Sequence, residues 1–297
     1  MPPDQQPTPP ARSTPPVSVV IPVYDGAPYL EAAIGSVLRQ SAGNLRLLLV
    51  DDASRDASPA IAHAAAARDR RVTVRTNPAN MGLYASLRHH IATIDTPFTV
   101  VLMQDDTLAP DHCARFLALA AAHPEVPMFW ADVDHMDAAG TLHRRGERTG
   151  AVSLTHPSPQ AVRRAFERGC YWTISGSFTR TAHFERHPFR PDLKHAADYD
   201  LLVRTLQEAP IAYLHDTLTT IRLHEGQLSR AYNRSARDLA DYMTIFREVR
   251  AAGGIAEADA RAIHRRLKRG EARRVVARLR RGHVGPALRA LRLLAGA

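Results

Sequence analysis

Two adjacent pairs of aspartates, Asp51-Asp52 and Asp105-Asp106, are the residues whose type and placement most directly imply chemistry. Carboxylate oxygens suit hard divalent cations such as Mg2+ or Mn2+. They also accept hydrogen bonds from the N–H and O–H groups of a nucleotide. Each pair stands at the end of a short apolar run, LRLLLV over residues 45–50 and FTVVLM over 98–103. If those runs are parallel strands, both pairs face the crevice outside the carboxyl ends of a sheet, where ligands of open α/β folds bind. One such pair could be solvated loop charge or a helix cap; two at equivalent strand ends point to a site.

The elements that must position them follow from the apolar pattern. Residues 17–24 (VSVVIPVY), 45–50, 72–75, 98–103 and 128–133 are short apolar runs that read as buried strands. Residues 28–40 carry Leu30, Ile34, Val37 and Leu38 at helical spacing, with Pro28 placed to start the helix. Residues 58–68, 81–94 and 109–122 read as further helices. Strand–helix alternation with continuous apolar strands predicts an α/β fold, its mostly parallel sheet covered on both faces. After about residue 135 the alternation loosens. Gly140 marks a hairpin turn, and an α+β second half is expected to complete the same domain. From about residue 235 the chain reads as helical, and no internal repeat is found.

A chain of 297 residues, 45% of them hydrophobic, can bury a sizeable core in one large domain or two modest ones. Cys113 and Cys170 form neither a CxxC nor a disulfide framework, which predicts a reducing, cytoplasmic compartment and two small buried hydrophobes. No apolar run reaches the ~18 residues of a membrane span. Residues 1–15 are proline-rich and polar, so a disordered leader rather than a signal peptide is expected. The net charge of +9 is unevenly spread. Residues 260–297 hold twelve Lys and Arg against Glu271 alone, a net of +11, leaving the remainder near −2. The high basicity therefore belongs to the C-terminal segment, and nucleic acid is not needed to explain it. There is no GxGxxG after the first strand, no GxxxxGK[ST] and no GxSxG, which excludes a dinucleotide fold, a P-loop and a serine elbow.

Taken in order, VSVVIPVYDGAPYLEAAIGSVLRQS, LLLVDDASRDAS, NPANMGLYASLRHHI and VVLMQDDTLAPDH resemble the nucleotide-binding half of glycosyltransferase family 2. ISGSFTRTAHF, HAADYDLLVRTL and YLHDTLTTIRLHEGQLS resemble its acceptor half and closing segment. The resemblance runs over about residues 16–230. It implies a GT-A fold with a nucleotide-binding half over 16–134, an acceptor half over 135–230, and a basic helical extension over 231–297. It also implies an inverting enzyme that moves a sugar from a nucleotide-diphosphate donor to a sugar or lipid-linked acceptor, as in bacterial polysaccharide or glycolipid synthesis.

Residue by residue, the resemblance puts Pro22 and Tyr24 beside the base and has Asp52 hydrogen-bond it. Asp105 would contact the ribose, and Asp106, with Asp105, would ligate a divalent cation (Mn2+ or Mg2+) that bridges the diphosphate. Asp198 matches the general base, while Arg222 and His224 fall near the diphosphate or acceptor. The chemistry needs these types: the attacking hydroxyl must lose its proton to a positioned carboxylate, and the leaving diphosphate needs its charge neutralised. Asp198 could instead be a plain helix N-cap. Asp200, two residues on, points elsewhere, and Arg204 is expected to be structural. The sequence departs from the family at Met103, where a first DxD acid often stands, at Ala197 in place of the usual glutamate, and at Leu87-Arg88 in place of Arg-Asn. A noncatalytic sugar-nucleotide binder and a nucleotidyltransferase are the competing classes. Asp25-Gly26-Ala27-Pro28 lacks the glycine-rich loop that the latter needs.

His183 and His187 stand four apart, but without an HExxH glutamate or an evident third ligand they are expected to be a surface pair rather than a zinc site. In the basic segment Val284, Leu288, Leu291 and Leu294 recur at helical spacing with Arg289 and Arg292 beside them. Such a helix can lie on the anionic face of a membrane, making the protein peripheral, or can pack on the catalytic domain.

Overall fold

The computed structural model describes residues 17–143, 148–169, 172–227 and 237–295. The expected leader over 1–15 and Cys170 lie outside the described residues. The nucleotide-binding half follows the alternation read from sequence: β1 (Val17–Val23), α1 (Ala27–Leu38), β2 (Leu45–Asp51), α2 (Ser58–Arg68), β3 (Val72–Thr76), α3 (Leu83–Ile91) and β4 (Phe98–Val101). There follow β5 (Thr107–Leu108), α4 (His112–Ala122), β6 (Met128–Asp137), β7 (Leu142–His143), β8 (Val152–Thr155), α5 (Pro159–Arg168), β9 (Ser177–Arg180), α6 (Thr181–Arg186), α7 (Ala197–Glu208) and β10 (Ile211–Leu223). Three helices, Arg237–Ala251, Glu257–Arg280 and Val284–Ala295, complete the chain.

The strands form one sheet in the order β3-β2-β1-β4-β9-β6-β10-β5. β3, β2, β1 and β4 are parallel, and β6 pairs parallel with β10. β9 enters antiparallel between β4 and β6. Two antiparallel steps restore the original direction, so β1, β2, β3, β4, β6 and β10 all end at the same edge. The sheet is thus mostly parallel with helices on both faces, a GT-A arrangement. The hairpin expected at Gly140 joins β6 to β7.

Alternation along β1 sorts the two faces. Val17, Val19 and Ile21 join Leu30, Ile34, Ala62 and Phe116 of α1, α2 and α4. Val20 joins Leu87 and Ile91 of α3 and the α5, α7 and C-terminal helices on the other face. Phe178 of β9 is fully buried against Phe98, Phe116 and Phe129, and truncating such a ring costs about 3–5 kcal/mol. Pro22 sits in a central strand without penalty. β4 parts from β1 after Val101, where Leu102 donates its N–H to the Val20 carbonyl. The N–H that Pro22 lacks would have pointed into that gap.

Three sequence expectations change. α3 begins at Leu83 rather than residue 81, because the Met81 and Gly82 N–H groups are donated to Asp52 instead of entering a helix. His183 is not on the surface: it is fully buried, its Nε2 at 2.8 Å from the Thr205 hydroxyl, while His187 pairs with Glu208. Finally, Leu294 does not share the outward face of Val284, Leu288 and Leu291. It is buried with Ala287 and Ala290, so the small residues of this helix carry its packing. Among the described residues no helix is long and apolar enough to cross a membrane.

Candidate active site

The edge where six strands end carries the acids. The loop after β1 and the loop after β2 are fastened to each other before either meets a ligand. Gly26 N–H bonds the Ser58 hydroxyl at 2.9 Å, Ala27 N–H the Asp56 carboxylate at 2.9 Å, and Arg55 N–H the Asp25 carboxylate at 2.7 Å. Asp25 and Ala53 hold φ of 47° and 61°, a left-handed conformation uncommon outside glycine. Such strain persists only where surrounding bonds over-determine the backbone. Gln104, just before the second acid pair, reaches across 80 residues of sequence. Its side chain accepts from Tyr24 N–H at 2.9 Å and donates to the Tyr24 carbonyl at 3.0 Å. Pro22 is buried in β1, and Tyr24 stands 43% exposed at the rim.

Asp52 is buried, and most of its carboxylate is engaged in building the loop before α3. Asn77 Nδ2 donates to Oδ1 at 2.7 Å, Met81 N–H to Oδ1 at 2.8 Å, and Gly82 N–H to Oδ2 at 2.8 Å. Gly82 takes φ of 82° to aim its N–H there, a conformation glycine adopts freely. Asn77 is held in turn by His90 at 2.7 Å and by Ser86. Burial, with His89 and Arg75 nearby, depresses the His90 pKa and so favours its neutral form. Three of the roughly four acceptor sites of the Asp52 carboxylate are filled, and Oδ2 retains room for one more donor.

Asp105, Asp106, Arg222 and His224 form a second bonded cluster. β10 carries Arg222 to the end of β4, and its backbone N–H donates to Asp106 Oδ1 at 2.9 Å. The Arg222 guanidinium bonds the carbonyls of Asp105 and Asp137 and lies 4.7 Å from the centre of the Tyr29 ring. His224 Nε2 is 2.9 Å from Asp105 Oδ2, and its imidazole lies against the same tyrosine. Asp106 is 3% exposed. Burial and the neighbouring Asp105 charge raise its pKa, opposed by the Ser175 hydroxyl and Arg222. An adjacent pair of carboxylates, one buried and short of compensating charge, is what a divalent cation would relieve. The oxygens of Asp105 and Asp106, with the His224 imidazole beside them, suit Mn2+ or Mg2+. Among the described residues no group of three or more His, Cys, Asp or Glu is placed to hold a metal ion.

Asp198 lies in the first turn of α7. α7 leads directly into β10 and runs back along the sheet, so its N-terminus arrives at the edge where the strands end. The N-cap is Ala196, with no side-chain bond, so Asp198 does not cap the helix. Its carboxylate accepts from the Tyr199 N–H at 2.8 Å and from the Tyr84 hydroxyl. Burial raises its pKa in spite of both bonds, moving it toward what a base near neutral pH needs. Asp200 faces away, paired with Arg204 at 2.8 Å and Arg190 at 3.5 Å. Tyr84 also belongs to α3, whose first residues cradle Asp52, so one helix start touches both the Asp52 loop and Asp198.

Sequence reasoning missed Gln104 as a lock on Tyr24, along with Tyr29, Asn77, Tyr84 and Ser175. Their partners in the site lie 25 to more than 100 positions away, and nothing local marks them. A surface groove of about 740 Å3 lies beside α3 between Met81, Arg88 and Phe189, and is not lined by Asp52, Asp105, Asp106 or Asp198.

The sheet order and the helices on both faces define the GT-A class of fold. The chain belongs to glycosyl transferase family 2, whose profile matches residues 18–174. It is 26% identical over 229 residues to EpsH of Bacillus subtilis (strain 168), named as a glycosyltransferase, covering 74% of this chain and 64% of EpsH. It is 30% identical over 206 residues to the uncharacterized protein y4gI of Sinorhizobium fredii (strain NBRC 101917 / NGR234), covering 69% of this chain and only 22% of y4gI. With WcaA of Escherichia coli (strain K12), named as a colanic acid biosynthesis glycosyl transferase, it shares 25% over 239 residues, 80% of this chain and 82% of WcaA. Among solved structures, S. aureus TarS 1-349 in complex with UDP-GlcNAc matches with a TM-score of 0.63 at 17% identity, over 84% of this chain and 70% of that one. The mannosyltransferase PcManGT from Pyrobaculum calidifontis, in complex with GDP-Man and Mn2+, matches with a TM-score of 0.59 at 19% identity, over 100% and 79%. These likenesses establish the fold.

Proposed function

We propose that this chain transfers a sugar, with inversion at the anomeric carbon, from a nucleotide-diphosphate donor to a hydroxyl of a sugar or lipid-linked acceptor, in the assembly of a cell-surface polysaccharide or glycolipid. The observation that carries this reading is the placement of Asp198, a half-buried carboxylate with a raised pKa, at the same sheet edge as the Asp52 loop and the Asp105-Asp106 cluster. The colanic acid naming of WcaA and the nucleotide-sugars held by TarS and PcManGT support it.

In this reading the nucleobase rests beside Pro22 and Tyr24 and donates one N–H to the free acceptor site on Asp52. Asp105 meets the ribose. Asp105 and Asp106 would hold a divalent cation, which when bound neutralises charge on the leaving diphosphate. Arg222 and His224 lie on the diphosphate side, their approach limited by Tyr29. Asp198 takes the acceptor hydroxyl's proton as its oxygen forms the bond to the anomeric carbon. The bond from that carbon to the diphosphate breaks on the opposite face, and the nucleoside diphosphate leaves.

A thermal-shift panel of nucleoside diphosphates and nucleotide-sugars, with and without Mn2+, tests the donor half of this reading. A metal-dependent rise with a nucleotide-sugar is expected, and no rise with any of them refutes it. Stabilisation by a donor that is neither hydrolysed nor transferred would make the chain a binder rather than an enzyme.

A further inference from the structure

Beyond the strands, the last two helices carry a surface that sugar transfer does not explain. Glu257–Arg280 and Val284–Ala295 are joined by a three-residue turn and pack on each other. Such a short connection makes them an antiparallel hairpin. Ile263, Val275, Ala287, Ala290 and Leu294 are buried. The exposed apolar residues follow buried ones by a single position: Val276 after Val275, Leu279 after Arg278, Leu288 after Ala287, Leu291 after Ala290. Two antiparallel helices that face each other turn in opposite senses about a common axis. The same one-residue offset from their interface therefore places both rows on one side of the hairpin.

That side is strongly apolar for a surface. Val276, Leu279, Val284, Leu288 and Leu291 are 46–52% exposed and make up half of the exposed large hydrophobic residues among those described. Exposed arginines are interleaved with them. Arg273 and Arg280 stand three before and four after Val276, Arg281 three before Val284, and Arg292 four after Leu288. From residue 260 onward the one acid, Glu271, is buried and paired with Arg274 and Arg278, so it does not offset them. Arg273 continues an exposed basic stripe with Arg266 and Arg269, one helical turn apart.

We propose that this face of the hairpin docks the protein on the surface of an anionic phospholipid bilayer. The leucines and valines enter the acyl boundary, and the arginines extend their apolar stems along it and meet lipid phosphates. A protein partner would need acids set to match this row of arginines, whereas an anionic lipid surface supplies negative charge everywhere. The proposal does not depend on the identity of donor or acceptor.

Co-sedimentation of the full chain with vesicles of phosphatidylglycerol and phosphatidylcholine in equal parts, at low and high salt, tests it. The chain is expected to pellet at low salt and to be partly released by high salt as the charges are screened. L288D/L291D alters only exposed positions. It should raise the lipid needed for half-maximal pelleting by about tenfold or more, with melting temperature and donor binding unchanged. R289E/R292E should act similarly at low salt. Pelleting of L288D/L291D like the parent chain overturns the proposal, as does equal pelleting on phosphatidylcholine alone. If the parent chain is a dimer in size-exclusion chromatography and L288D/L291D is not, the face belongs to a second copy and the proposal again fails.

Discussion

Asp198→Asn separates the chemistry of the site from its architecture. The two groups that donate to Asp198 are the Tyr199 N–H and the Tyr84 hydroxyl. The amide oxygen of asparagine can accept from either, so the loss is at most one net hydrogen bond, about 0.5–1.5 kcal/mol. Against this stands relief of a desolvated charge. Burial lifts the Asp198 carboxyl above its ordinary 3.8, so the folded chain holds this proton more tightly than the unfolded chain. Its contribution to stability is full below the ordinary carboxylate range and is lost as pH rises through the folded value. At neutral pH Asp198 therefore costs stability, and asparagine removes that cost. The two effects oppose, and the melting temperature should stay within about 4 °C of the parent at neutral pH. Transfer is different in scale. Loss of a general base costs about 10²- to 10⁴-fold, equivalent to about 2.7–5.5 kcal/mol of barrier. Donor affinity, which the proposed function assigns to the Asp52 and Asp105-Asp106 clusters, should be unchanged. Single-turnover transfer, donor titration calorimetry and thermal melts on one preparation give all three quantities. Parent-like transfer by a folded D198N chain would refute the base assignment.

Tyr84→Phe removes a donor that favours the charged form of Asp198. The Asp198 pKa should then rise further, moving the acid limb of the kcat/KM profile toward alkaline pH while the plateau above it is kept; an unmoved limb would mean the hydroxyl does not touch the working base. Asp106→Ala should abolish Mn2+-dependent donor binding in calorimetry and leave the fold intact. In the parent chain, burial and the Asp105 charge raise the Asp106 pKa, so Mn2+-dependent donor affinity should weaken as pH falls below neutrality, because a proton then competes for the carboxylate. Gly26→Ala should weaken donor binding by displacing Gln104, and Gly26→Ala with Gln104→Ala should cost less than the sum of the single changes, a coupling that a double-mutant cycle reads directly.

The elements that present Asp51-Asp52 and Asp105-Asp106 were legible because buried parallel strands are written as continuous apolar runs, which need no partner to be recognised. β9 was not. SFTR has no continuous apolar character, and its place between β4 and β6 depends on pairing with strands more than 45 residues away in sequence. The acids were visible by type, but not what surrounds them. Nothing near Asp52 announces that Asn77, Met81 and Gly82 saturate most of it, and nothing near Asp198 announces Tyr84. The spacing of Val284, Leu288, Leu291 and Leu294 showed an apolar row but not which way it faces: the first three are exposed, while Leu294 is buried with Ala287 and Ala290, small residues that allow close approach.

The contact between Gly26 and Gln104 has an evolutionary consequence. A Cβ at residue 26 would stand 2.1 Å from Gln104 Oε1 and 2.3 Å from Cδ. Any side chain there would force the glutamine off the Tyr24 backbone. The two positions, one in the first loop and one beside the second acid pair, are therefore not free to drift independently. Among relatives, a residue larger than glycine at position 26 should be found only with a shorter or differently directed side chain at 104. Lineages that change the residue before the acid pair must pass through a form in which Tyr24 is unlatched, unless position 26 is glycine throughout. Glycine at 26 would then be the permissive state, which must come first in any line of descent that acquires glutamine at 104.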